Sequence, residues 1–251
     1  MLVLALFAIA GAAVGSGAFG GTPIAEAADG ALSATATPVA PASTAFSIWS
    51  VIYLGLVAYA VWQLLLAQRT DARQRRTGWL AAASMVLNAV WILVVQAGLL
   101  WLSVVVIVAL LVVLVRILGV LMSTPARSTV ERVVVDGTFG LYLGWVTIAT
   151  IANIAATLAA ADVGELGLGA TGWSVALLVA AAVIGIMFAV HTGGRIAIAV
   201  ALSWGLAWVA VGRASGETEN TTVAVAAAIA ATLTLGSAVL VALRRRTSTS
   251  R

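Results

Sequence analysis

"TFGLYLGWVTIATIAN", residues 138–153, is apolar enough to lie in lipid, yet it sets Thr138, Tyr142, Trp145, Ala149 and Asn153 at spacings of three and four. Those spacings put all five on one helical face. An Asn in mid-membrane is costly unless its amide finds a partner, so such a stripe faces the interior of a bundle. The stretch therefore predicts one helix of a polytopic membrane protein, with its partners on neighbouring helices.

Composition supports that class. Of 251 residues, 63% are hydrophobic and 9% charged. A water-soluble domain of this size could not cover its surface with so few charges. The formal net charge is +4 and all 13 basic residues are Arg, placed in short clusters between apolar runs. That placement marks membrane orientation and not a phosphate-binding face, which excludes nucleic acid as a partner. The absence of Cys excludes disulfides, thiolate metal sites and a thiol nucleophile. A single His excludes a multi-histidine metal centre. No metal or resident cofactor is expected.

A span needs about 20 apolar residues. Eight are predicted, at 2–21, 45–67, 78–97, 99–121, 133–158, 172–190, 194–212 and 222–243. The expected fold is an all-α, polytopic membrane helix bundle. A signal peptide is the other reading of the first span. It lacks a positive n-region, however, and is longer than the usual apolar core of about 7–15 residues. "QAG" at 96–98 predicts a tight hairpin between the third and fourth spans. The acidic break near 162–171 divides a five-span unit, 1–161, from a three-span unit, 171–244.

The loops set the orientation. Arg69, Arg73, Arg75 and Arg76, then Arg127 and Arg132, then Arg195, then Arg244 to Arg246 all fall on one side of an eight-span chain. The alternate loops carry Glu26, Asp29, Asp162, Glu165, Glu217 and Glu219, with only Arg213 among them. The positive-inside rule then places both termini in the cytoplasm, in what is expected to be a bacterial cytoplasmic membrane. The external segment 22–44, rich in Ala, Thr and Pro, is long enough for a lid or a tether.

Two other helices carry stripes that match the first. Phe46, Trp49, Tyr53, Leu56 and Ala60 share a face of the second span, and Ser84, Asn88, Trp91 and Val95 share one of the third. At about 1.5 Å per residue from the external end, Trp49 lies roughly 7 Å deep and Tyr53 and Asn88 roughly 13 Å. Trp91 and Asn153 come out at about 9 Å and Trp145 at about 20 Å. Six aromatic or amide residues thus converge beneath the long loop, five of them in the outer half of the membrane. Such a group is either a packed aromatic core or a site for a planar apolar ligand.

The remaining candidates have plainer readings. Trp62, Trp79 and Trp101 are expected at the membrane interfaces, and Trp204 and Trp208 in helix packing. Arg116, inside the fourth span, either snorkels or pairs with Asp136. Arg195 is expected to act as a topology determinant. His191, at a helix end, is expected to cap or face the interface.

Three motifs add a resemblance. "PASTAFSIWSVIY" (41–53) resembles the Pro-rich, Trp- and Tyr-bearing entry to the second helix of the translocator protein family, also known as the tryptophan-rich sensory or peripheral benzodiazepine receptor family. "LNAVW" (87–91) is similar to that family's third-helix motif, and "YLGWVTIATIAN" (142–153) to its fifth. The resemblance covers about residues 1–160. It implies a five-helix bundle that binds porphyrins, sterols and related hydrophobic ligands under the first long loop. Trp49, Tyr53, Asn88, Trp91, Trp145 and Asn153 match motif positions that line or support that pocket. Thr44 and Leu141 depart from the pattern, standing where the family has Trp and Pro, and the loop's usual Trp-Tyr and Lys-Pro-Pro elements are missing.

The expected function is an integral membrane sensor or carrier for planar hydrophobic ligands, porphyrin-like tetrapyrroles first. The alternative is a small-solute or lipid transporter in which eight helices act as one unit. The expected partners are membrane lipid and a hydrophobic small molecule, with a homodimer left open. The six site residues include no acid, His or Lys, so acid–base and nucleophilic catalysis lack their usual carriers and no enzyme activity is expected.

Overall fold

The computed structural model describes residues 26–65, 68, 70–164, 167–215 and 218–249. Seven helices among them are long and apolar enough to cross a membrane, and none of the described residues forms a strand. The expected first span, 2–21, lies outside the described residues. The helices are α1 (Ile48–Leu64), α2 (Ala72–Gln96), α3 (Leu100–Ser123), α4 (Thr138–Ala160), α5 (Gly169–Thr192), α6 (Ile196–Arg213) and α7 (Thr221–Thr249). A 3₁₀ turn, Ser43–Ser47, leads into α1; a short helix, Thr129–Glu131, and a π-helical turn, Arg132–Gly137, lead into α4.

Local chemistry sets several of these boundaries. Asp71 caps α2 by accepting from the Gln74 backbone N–H at 3.0 Å. Gly98, at φ +73°, makes the hairpin expected between α2 and α3. Ser128 caps the short helix before α4, accepting from Glu131 N–H at 3.1 Å.

The helix that contains the opening motif is the hub. α4 packs against α1, α3 and α6, while α6 and α5 both pack on α7. Its contact with α6 is a backbone approach. A Cβ added at Gly144 would stand 2.2 Å from Ile198 O, and one at Gly140 would stand 2.8 Å from the Ala197 Cβ. Without a hydrophobic effect between helices in lipid, small residues four apart let helices meet closely enough for dispersion and dipoles to hold them. The glycines use one face of α4 for α6; Tyr142 and Trp145, both buried, use the other. Of the three Trp expected at the membrane interfaces, Trp79 and Trp101 are 83% and 60% exposed, whereas Trp62 packs against the core with its Nε1 buried.

At the end away from segment 26–42, a charged cluster ties four segments together. Buried Arg73 contacts Glu131 and Asp136, each at 2.7 Å, and donates through Nε to Thr124 O at 2.6 Å. Arg195 pairs with the other Asp136 oxygen and donates to Leu121 O at 2.9 Å. Gln74 donates to Glu131 at 2.9 Å, and Arg127 pairs with Asp71 at 2.7 Å. The alternative pairing of Asp136 with Arg116 is therefore wrong. Asp136 sits in the π-helical turn, whose extra residue rotates it away from the phase of an unbroken α-helix, toward α2 and α6. Arg195 accordingly cross-links α6 to the α4 entry as well as adding positive charge to its loop.

Candidate functional site

Every one of the six sequence-selected residues is placed within a single connected group. Trp49 stacks on Tyr53 with centroids 5.2 Å apart and planes at 17°. It meets Tyr142 edge-on at 5.8 Å and Trp145 at 6.2 Å, and Phe46 packs against Trp145 at 5.7 Å. The result is a ring box built from the α1 entry and α4. Offset stacks and edge contacts of this kind contribute ~0.5–1.5 kcal/mol each beyond area burial.

The amides cross-brace the box. Asn88 Nδ2 donates to Tyr53 Oη at 2.9 Å, and Tyr142 Oη donates to Ser84 O at 3.2 Å. Trp91 Nε1 donates to Asn153 Oδ1 at 2.8 Å, while Asn153 Nδ2 donates to Ser103 Oγ at 2.9 Å. Ser103, on α3, was not singled out from sequence. Its signal was faint, a single hydroxyl near the start of a span that is otherwise aliphatic but for Trp101 and Arg116.

Two small voids open inside this group. The upper one, about 50 Å³, lies under segment 26–42, between Leu32, Thr37 and Pro41 above and Trp91, Trp145 and Asn153 below. The lower one, about 20 Å³, is walled by Trp49, Asn88, Trp91, Ile107 and Trp145. Phe46, Trp91, Trp145 and Ala149 border both, so those side chains are the partition. Trp145, the deepest of the six by residue count, touches both voids. Tyr53 touches neither and serves as support.

Three buried polar atoms around the voids have no hydrogen-bond partner: Trp145 Nε1, Asn88 Oδ1 and Thr37 Oγ1. Buried groups of this kind are rare because each forfeits its hydration. Exchanging the two amide atoms of Asn88 would only move the open valence from oxygen to nitrogen. The side chains that carry this donor, amide and hydroxyl therefore line an apolar, aromatic enclosure.

Segment 26–42 is fastened from α6. Arg213, 2% exposed, donates from its guanidinium to Ala34 O and to Ala40 O, the latter at 3.3 Å. Ala42 N–H donates to Trp208 O at 3.1 Å, and Trp204 Nε1 donates to Ala45 O at 2.9 Å. Trp204 and Trp208 meet edge-on at 5.6 Å. Their packing role thus extends beyond helix contacts to the covering segment. The sequence did carry one signal for Arg213: it was the lone cation on the acidic side of the chain.

The seven long apolar helices of the described residues define an integral membrane protein of the helical-bundle type. The chain belongs to the TSPO-like protein family, whose model matches residues 2–240. That match continues past 161 through α5 and α6 and into α7. No curated protein matches the chain. No solved structure matches it either.

Proposed function

We propose that this protein binds a planar, mostly apolar small molecule with a polar edge, of the porphyrin class, between segment 26–42 and the ring box. The observation that carries the reading is the three buried, unpartnered polar atoms set among rings at the two voids. Unpartnered buried atoms also occur away from the voids, on Trp62, Arg213 and Thr234; what sets these three apart is that their side chains line two voids bounded by aromatic rings. The ring faces supply dispersion area and the open valences orient a polar edge.

The voids are far below the roughly 300–1,000 Å³ of a small-molecule pocket, so this is the closed form. Entry requires the partition of Phe46, Trp91 and Trp145 to part and the covering segment to lift. Residues lining the voids are rings, aliphatics, hydroxyls and amides, a set suited to holding a ligand and not to moving protons. The arginine asymmetry supports a membrane orientation with the covering segment outside and both termini in the cytoplasm.

Titrating purified protein with protoporphyrin IX while following tryptophan emission tests the reading. A saturable quench is expected, and Trp145→Phe should weaken it about 2- to 10-fold, the equivalent of one neutral hydrogen bond from the indole N–H. Trp79→Phe, at an exposed site, should leave it unchanged. Non-saturating quenching, or equal affinity in folded Trp145→Phe, would reject the site.

A further inference from the structure

We infer that the groove between α2 and α3 at the arginine end holds the phosphate of an anionic phospholipid, clamped by Arg76 and Arg116. The groove, about 360 Å³, is lined by Arg76, Leu80, Arg116, Gly119, Val120 and Ser123. Arg76 also lines an adjoining depression, about 490 Å³, that holds Arg75 and the 83%-exposed Trp79.

Charge placement carries the argument. The described acids at this end are Asp71, Glu131 and Asp136, and each is already engaged, with Arg127, Arg73 and Arg195 among their partners. Among the described residues, neither Arg76 nor Arg116 makes an ion pair, and both are exposed. Arg116 lies seven residues before the end of α3 at Ser123, so about 10 Å inside it. Its Cα–Cβ bond tilts toward the helix N-terminus, away from that end, which works against snorkelling. Arg76 sits in the second turn of α2, which begins at this end, and its bond tilts toward the interface. Two guanidiniums therefore approach one groove from different depths with no protein counter-charge.

The groove's shape selects the source of the phosphate. Gly119 has no atom within 4 Å of where a Cβ would stand, which leaves open space beside Arg116. Leu80 and Val120 give apolar walls for glycerol and the first acyl carbons. Trp79 offers the indole that membrane proteins place at headgroup level. A free phosphate ion would gain nothing from those walls, and a zwitterionic headgroup would bring its own cation. Basic pockets between helices are a physical means of retaining anionic lipid.

Native mass spectrometry of the detergent-purified full chain tests this, with phosphatidylglycerol, phosphatidylcholine and inorganic phosphate as probes. Wild type should retain phosphatidylglycerol in preference to phosphatidylcholine. The double variant Arg76→Gln, Arg116→Gln should lose that preference, with apparent affinity falling about 30-fold, or ~2 kcal/mol at ~1 kcal/mol per arginine near the surface. Arg244→Gln should keep it. An unchanged thermal melt in phosphatidylcholine would show that the double variant folds; if it does not, the single variants, each expected to lose about fivefold, decide. Equal retention in folded variants would overturn the inference, as would inorganic phosphate competing with the lipid at equal concentration.

Discussion

Replacing Arg213 with Met should free segment 26–42 while leaving the ring box intact. The guanidinium is buried and donates to two carbonyls of the segment, Ala34 O and Ala40 O, and to Thr218 O at 3.4 Å. Its Nε is buried without a partner, so losing that atom costs nothing. Met fills similar volume but donates no hydrogen bond, so the two carbonyls lose their partner in the closed form and regain water in the open one. Hydrogen bonds to a charged group contribute ~1.5–3 kcal/mol net. Taking one such bond's worth as the shift, opening becomes on the order of 10- to 100-fold more frequent. Amide hydrogen exchange reads this directly at Ala42, whose N–H donates to Trp208 O. Stopped-flow quenching by protoporphyrin should show association and dissociation accelerated together, with affinity moving much less than either rate. Unchanged exchange at residues 31–42, with unchanged kinetics in a folded variant, would refute the idea that Arg213 holds the segment shut.

Three further outcomes follow from the packing and the charges. Gly144→Ala should destabilise the protein by ~1–3 kcal/mol through overpacking against Ile198, whereas Gly236→Ala, with nothing within 4 Å, should be neutral or gain ~0.5–1 kcal/mol; thermal melts compare them. Asp136→Asn should cost ~3 kcal/mol, because Arg73 is left with one carboxylate in a site where its side chain is 4% exposed. A cycle with Arg195→Gln should show strong coupling, and additive losses would deny the pairing. Because the chain has no Cys, single cysteines at exposed Thr35, Ser215 and Thr70 report topology. An impermeant reagent on intact cells should label the first two and spare Thr70; the reverse pattern would invert the orientation.

The seven described spans and the grouping of the six candidate residues were legible in the sequence for the same reason: both are properties of single helices. A run of apolar residues marks a span wherever its neighbours sit, and spacings of three and four placed Trp49 with Tyr53, Asn88 with Trp91, and Trp145 with Asn153 on their faces. What stayed hidden depends on how helices meet. Arg73 reaches Glu131 and Asp136 across 58 and 63 residues, and Arg195 reaches Asp136 across 59, distances over which local period carries no information. Of the two readings of Arg116, the pair with Asp136 fails because Asp136, in the π-helical turn, is taken by Arg73 and Arg195. The Gly140-x-x-x-Gly144 contact stood inside the opening motif, but its partner surface on α6 became visible only with the fold. Arg213 was noticed as a charge out of place, and its role emerged only when segment 26–42 was seen to lie against it.

Photoaffinity labelling with a diazirine-bearing porphyrin, followed by peptide mapping, tests the central claim most directly. If the ligand sits between the covering segment and the ring box, crosslinks should fall within 31–41 and 145–156, the stretches that line the upper void. Excess unlabelled protoporphyrin should suppress them. Crosslinks confined to lipid-facing positions such as Val105 or Val179, insensitive to competitor, would mean that the porphyrin only dissolves around the bundle and that the rings are core.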